Sequence, residues 1–454
     1  MQNLLSVQGF LIAALALLSI IFVAFRKKAT AVTLVCMYAA ILISTAYLVA
    51  VHNLYFIWIC LIMYASLACT FILFYKEQKT EIFAIASLAT SGLMFAMQFD
   101  NLIVIYTAIE LSSIATYILL SINSKQTTSH TKQTSEAAMK YFIIGAISAC
   151  VSIYGISLIY GGSGGVLDLS TIATAPGEMN QSVLMAGYVM LIVGLLFKIS
   201  AFPLHIWTPD IYQGSRTSAI AFVTNIPKIA VFILLFKITY SIPLAQTSIS
   251  AIIHKVFWLS SICSMLVGSV GALFQNNIKR IIGYSGIAHI GYLLMLLSVP
   301  NSSTFTYVIY YFTIYAAINI GILFVVYILE GAIVKEEENL SLTHIGGLYK
   351  VSPSLALCLS VLIFSNAGIP PLAGFFIKYA VFSQVIANRG YVIAVFGLVT
   401  SIISCYYYLK IIKSIYFDEP KSGILVMQPK SLHGNCIMAV IIIATVLNVM
   451  FIYF

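Results

Sequence analysis

Fourteen predominantly apolar stretches, each near the ~20 residues that a helix needs to cross a bilayer, constrain this chain more than any other feature. They cover residues 4–25, 31–51, 54–75, 82–99, 102–122, 137–160, 183–207, 217–240, 252–274, 281–299, 305–329, 353–385, 391–417 and 436–454. The expected fold class is an all-α polytopic membrane protein with about fourteen transmembrane helices. Composition agrees, because 61% of the 454 residues are hydrophobic and 8% are charged, against roughly 45–50% and about 25% in soluble domains. Mean hydropathy is +1.02. Helices in lipid pack as one bundle, so the length sets no count of soluble domains.

The net charge of +9 does not point to nucleic acid, because the basic residues are scattered through short loops. Seventeen of the 23 fall in alternate loops: Arg26, Lys27, Lys28, Lys76, Lys79, Lys125, Lys132, Lys140, Arg216, Lys279, Arg280, Lys335, Lys350, Lys410, Lys413, Lys421 and Lys430. The remaining loops carry only Lys255 and Arg389. This asymmetry is the positive-inside pattern, and it predicts fourteen spans with both termini outside. The first run lacks a basic start and an A-x-A end, so it reads as a span and not a cleaved signal. The eight cysteines lie in or beside apolar runs, with no CxxC and no His–Cys cluster. That argues against disulfides, zinc and iron–sulfur ligation.

Four lysines remain inside runs: Lys198, Lys228, Lys237 and Lys378. A lysine in hydrocarbon costs about 2.5–3.5 kcal/mol on insertion scales, so each needs a reason. Of the fourteen acids, Glu110 alone is central in a run, and Tyr106, Ser113 and Tyr117 share its helical face. Lys198 is its natural partner. Burial disfavours a charged lysine and a nearby carboxylate favours it, so a small change in their separation moves a proton. The plainer alternative is a fixed ion pair stapling two helices. Lys228 follows Pro227, with Thr224 and Asn225 on the same face, and Lys378 lies eight residues past Pro370. His289, mid-run in YSGIAHIGY, divides evenly between packing and proton transfer. His205 closes the seventh run, as a proton carrier or as an interface residue bonded to a freed carbonyl. Lys237 sits near a run end, where its stem reaches the interface. Aligned across a bundle, the titratable groups form a proton wire.

Tyrosine and phenylalanine number 28 each, and packing accounts for them. GGSGG at 161–165 reads as a flexible outside loop and KEEEN at 335–339 as a solvated inside loop. No nicotinamide, flavin, haem or cluster motif appears, so any redox work falls to other chains.

LLFKISAFPL at 195–204 echoes LIFSNAGIPP at 362–371, setting Pro203 opposite Pro370. These prolines break the seventh and twelfth spans, and a five-span unit repeated in tandem must run inverted across the membrane. The expected organisation is a three-helix segment over residues 1–80, five-helix repeats over 81–242 and 243–418, and a final helix over 419–454. Secondary transporters place ion sites near the midplane in this way.

YTAIELSSIATYIL around Glu110, SEAAMKYFIIGAISA at 135–149 and LLFKISAFPLHIWTPDIYQG at 195–214 resemble the antiporter-like membrane subunits of proton-pumping NADH:quinone oxidoreductase, respiratory complex I. IPK at 226–228, QNNIKRIIGYSGIAHIGYLL at 275–294 and GIPPLAGFFIK at 368–378 extend the resemblance from the fourth span to the thirteenth. The WTPDIYQG turn and Lys378 are most similar to the N type; the M type has glutamate at the latter place, and the L type carries a long lateral helix. Arg216 departs from the small residue usual there.

The resemblance implies a proton channel in which Glu110 and Lys198 gate uptake, Lys228 passes charge inward and Lys378 leads outward. His205 and His289 join them as candidate proton-transfer residues. It also implies that the chain binds no cofactor and that NADH, flavin, iron–sulfur clusters and quinone are handled by other subunits. The partners would be neighbouring membrane subunits and the lipid bilayer. The expected location is a bacterial inner (plasma) membrane with periplasmic termini, or alternatively an organelle's inner membrane. Two other readings share these features: a subunit of a multi-subunit cation/proton antiporter, and a passive spacer that conducts nothing.

Overall fold

The structure is a computed structural model and describes residues 54–75, 80–122, 128–174, 180–242, 247–299, 301, 303–332, 340–419 and 432–450. The first two expected spans, and the loop residues Arg26, Lys27, Lys28, Lys76, Lys79, Lys125, Lys335, Lys421 and Lys430, lie outside the described residues, as does the segment 335–339.

Every expected run from the third onward is helical over its described residues, the seventh and twelfth with a break. The helices are α1 Leu54–Phe74, α2 Thr80–Gln98, α3 Leu102–Ser121, α4 Thr128–Gly162, a short α5 Leu169–Thr174, α6 Gln181–Lys198, α7 Trp207–Gly214 and α8 Thr217–Tyr240. They continue as α9 Thr247–Leu273, α10 Ile278–Ser298, α11 Thr304–Ala332, a one-turn α12 Leu348–Val351, α13 Pro353–Ala367, α14 Ala373–Ala387, α15 Tyr391–Phe417 and α16 Leu432–Met450. Ten of these are long and apolar enough to cross a membrane. The seventh run divides into α6 and α7, and the twelfth into α13 and α14.

Burial orders the bundle. α8 and α10 are enclosed along almost their whole length, whereas α4 and α15 expose apolar faces such as Phe142, Ile147, Tyr154, Val395 and Ile402. Lipid is as apolar as these side chains, so exposed Leu and Ile cost nothing there, and the enclosed helices are the ones able to carry polar groups.

One local arrangement occurs twice. Asn101 caps α3 by accepting from Ile103 and Val104 N–H, and Asn277 caps α10 by accepting from Arg280 N–H. Asn101 forms an isolated bridge to Asp168, and Asn277 forms one to Ser341. In the first, Leu102 N–H donates to Leu167 O and Leu169 N–H to Asp100 O; in the second, Ile278 N–H donates to Leu340 O and Leu342 N–H to Asn276 O. A lysine pins each corner. Lys237 on α8 pairs with Asp100 at 2.8 Å and donates to Phe99 O at 2.7 Å, while Lys410 on α15 donates to Asn276 Oδ1 at 3.0 Å. Lys237, in the last turn of α8, is therefore an ion-pair partner as well as a stem at the helix end. Lys237→Met removes a partly exposed pair, so it is expected to cost about 1 kcal/mol. The purified protein should melt a few degrees lower in a thermal scan.

The two breaks also match. At the end of α6, Ser200 is left-handed (φ 68°), Ser200 N–H donates to Phe197 O and Ala201 N–H to Leu196 O. At the end of α13, Gly368 is left-handed (φ 85°), Gly368 N–H donates to Ser365 O and Ile369 N–H to Phe364 O. Both are Schellman endings, which close a helix on its own last carbonyls. This geometry sets Ser200 opposite Gly368 and so Pro203 opposite Pro371, one residue away from the pairing with Pro370 expected from sequence. Residue identity alone favours the Pro370 register, which also matches Leu195 with Leu362 and Phe197 with Phe364, so the backbone geometry and the sequence echo differ by one residue.

Candidate functional site

Lys198 is the last residue of α6, and its side chain is buried to 7% exposure. Its ammonium donates to Ser113 Oγ on α3 and lies 5.5 Å from the Tyr117 ring centroid and 5.3 Å from that of Phe197. Ser113 is one turn along α3 from Glu110, as the helical spacing required. Glu110 is half-buried and acts on Lys198 electrostatically, while the serine hydroxyl is the group in contact. Glu110, Lys198, Tyr106, Ser148 and Ser152 line one narrow cavity of about 10 Å³, room for about one water. α4 closes on α6 there because Gly194 has no side chain, and Ser148 Oγ donates to Gly194 O at 2.7 Å.

The backbone freed between α6 and α7 finds partners, as it must inside a membrane. Trp207 Nε1–H donates to Phe197 O at 3.1 Å. From α9, Ser264 Oγ accepts from Phe202 N–H at 2.9 Å and Ser260 Oγ donates to Phe202 O at 2.7 Å. His205 stacks on Phe202, with ring centroids 5.7 Å apart, and no hydrogen bond among the described residues ties it to a lysine.

Lys228 is wholly buried in α8. Its Nζ lies 3.4 Å from Tyr212 Oη on α7, and that hydroxyl accepts from Thr224 Oγ1 at 2.7 Å. Lys378, on α14, donates to the carbonyls of Asn366 at 2.8 Å and Ala367 at 3.0 Å, the open end of α13. Between these two lysines stands His289 on α10, within electrostatic reach of both. Its Nδ1 is 2.7 Å from Tyr311 Oη and its Nε2 is 3.5 Å from Tyr408 Oη. The Tyr315 and Tyr292 rings lie 5.2 and 5.8 Å from it, and Lys378 Nζ lies over Tyr292 at 5.4 Å.

The structure thus forms two groups. One is Glu110, Ser113 and Lys198; the other is Lys228, His289 and Lys378 with their tyrosines. No hydrogen bond among the described residues joins Lys198 to Lys228. Sequence reasoning missed the tyrosines, because abundant aromatics pack by default; the only signal was spacing, with Tyr311 and Tyr315 one turn apart and Tyr292 three residues past His289. It also placed Lys279 in a loop. The side chain is in fact buried, pairs with Glu330 at 2.6 Å and donates to Ser215 O at 2.9 Å. A polar crevice of about 200 Å³ bounded by Glu136, Lys140, Asp210 and Arg280 lies on the positively charged side of the bundle. Asp210 there pairs with both Lys140 at 3.0 Å and Arg280 at 2.8 Å.

A family profile described as NADH:quinone oxidoreductase/Mrp antiporter, transmembrane, matches residues 100–404. The chain is 38% identical over 337 residues, covering 74% of it and 68% of the relative, to NADH-quinone oxidoreductase subunit N 1 of Rhizobium meliloti. A chain of respiratory complex I from Thermus thermophilus superposes with a TM-score of 0.77 at 26% identity, covering 98% of this chain and 97% of that one. A chain of the Mrp complex of a Dietzia species superposes with a TM-score of 0.83 at 16% identity, covering 99% and 94%, a likeness of fold alone.

Proposed function

The chain belongs to the NADH:quinone oxidoreductase/Mrp antiporter transmembrane family, and from that premise we propose how it works. It is a proton-translocating, multi-pass membrane subunit of complex I of the N type, partnered by the other membrane subunits. The observation that carries this reading is the presence of Lys198, Lys228 and Lys378, at 7%, 0% and 5% exposure, on enclosed or broken helices. A passive spacer has no use for three such ammonium groups.

In the proposed cycle, a change at a neighbouring subunit alters the field of Glu110 on Lys198. Lys198 then leaves Ser113 and releases its proton toward Lys228, and His289 with its tyrosines conducts onward to Lys378. The fold that serves this is fourteen helices in two inverted five-helix repeats, over residues 81–242 and 243–418, with a three-helix segment before and one helix after. The doubled asparagine corners and Schellman endings support that division. The location is a bacterial inner membrane with both termini periplasmic, and NADH, flavin, iron–sulfur clusters and quinone are held by other subunits. His205, stacked on Phe202, keeps the break in shape and stands outside the conducting set.

Glu110→Gln keeps the shape of the side chain and removes its charge. In membrane vesicles it is expected to lower NADH-driven acidification several-fold while NADH oxidation by an artificial electron acceptor, which does not pass through this chain, is unchanged. Full acidification would remove Glu110 from the cycle. Acidification that is indifferent to exchange of sodium for choline supports proton translocation, and dependence on sodium supports the antiporter alternative.

A further inference from the structure

We propose that Gly286 is the crossing point of the proton route, where it passes from Lys228 to the Tyr315 hydroxyl and so into the His289 cluster. This rests on the proton-translocating reading above. A glycine inside a helix costs about 1 kcal/mol relative to alanine, so its place in α10 needs a cause. Other glycines of this bundle have one in backbone packing. A Cβ at Gly291 would meet Met265 N at 2.9 Å and Ser261 O at 3.0 Å, and one at Gly268 would meet Ala288 N at 2.5 Å. Gly286 is different. A Cβ there would meet Tyr315 Oη at 3.2 Å, Lys228 Nζ at 3.3 Å and Tyr212 Oη at 3.9 Å, all polar tips of side chains.

Those tips converge on the bare face of α10 from two other helices and the α7 segment. Among the described residues the buried Tyr315 hydroxyl makes no close hydrogen bond, with the Asn319 amide as a side-chain neighbour, and Lys228 Nζ has one long hydrogen bond, 3.4 Å, to Tyr212 Oη. A swing of the lysine stem, or one bridging water, spans the space between them. The transfer balances. Lys228 gives up one proton to the Tyr315 oxygen, directly or through the water, as that hydroxyl passes its own proton on, and His289 gains one. The tyrosine ends neutral with its O–H rotated. His289 keeps Tyr311 on Nδ1 and faces Tyr408 with Nε2, so the imidazole has neighbours that accept the next step.

The test compares the assembled complex carrying G286A, G286S, Y315F or K198M in sealed vesicles, reading NADH-driven acidification against NADH oxidation by an artificial acceptor. G286A is expected to lose most of the acidification carried by this subunit, because the methyl group occupies the crossing. Serine is bulkier but brings its own hydroxyl, so G286S should retain more than G286A; simple crowding demands the opposite order. Y315F, which keeps the ring, should be as impaired as G286A, and it decides the matter if G286A fails to assemble. Parent-like acidification in Y315F, or G286S no better than G286A, overturns the crossing while K198M remains impaired. Parent-like acidification in K198M instead overturns the underlying reading.

Discussion

Replacing Lys198 with methionine is expected to stop proton movement through this subunit, a loss of at least about tenfold in its share of pumping, with the complex still assembled. Methionine is unbranched and one atom shorter than lysine, without its charge, so Phe197 and Tyr117 keep most of their packing, and a buried ammonium is removed whose desolvation was costly. Lys198→Arg separates relay from staple. Arginine keeps the positive charge beside Glu110 but does not give up a proton. If the pair only fastens α3 to α6, arginine restores function; if Lys198 passes protons, arginine is as inactive as methionine. Acidification of sealed vesicles, normalised to assembled complex, distinguishes the two.

Gly374→Ala is expected to prevent assembly. A Cβ there would stand 1.7 Å from Ser365 O and 2.6 Å from Ser365 C, and backbone cannot step aside. Gly374 N–H donates to Ser365 Oγ at 3.0 Å, and that hydroxyl donates to Asn448 Oδ1 of α16 at 2.7 Å, so α13, α14 and α16 meet at this one residue. Forcing them apart also lifts Lys378 from the carbonyls of Asn366 and Ala367. A clash of this kind belongs with the exceptional substitutions, above about 4 kcal/mol. Native gels should show little assembled complex. Gly161→Ala, where a Cβ meets nothing within 4 Å, should assemble normally.

Hydropathy made the helices legible because a membrane span is a long, one-sided signal that local detail does not disguise. The breaks were legible for a similar reason, since a proline beside a lysine in an apolar run is rare enough to mean something. Register was harder. Residue identity aligns Pro203 with Pro370, whereas the left-handed residues Ser200 and Gly368 align it with Pro371. The acid and the three lysines stood out because charge in lipid is costly. The tyrosine hydroxyls did not, because a tyrosine earns its place by area alone, and whether its oxygen meets His289 or a methyl group depends on neighbours far along the chain. Lys279 was misplaced for the converse reason. A lysine at a span end ordinarily faces water, and here Glu330 and the Ser215 carbonyl bury it.

The seat of Lys378 bears on electroneutrality. A helix halted partway through a bilayer exposes carbonyl oxygens equivalent to about half a negative charge, and this lysine rests on them directly. Backbone oxygens serve here as a permanent counter-ion that does not titrate and does not move. Among the described residues Lys378 has no acidic partner, so the second half of the protein holds its cation on backbone alone. The first half is arranged differently, because there the half-buried Glu110 carboxylate shares a cavity with Lys198, and the negative charge sits on a side chain and not on fixed backbone.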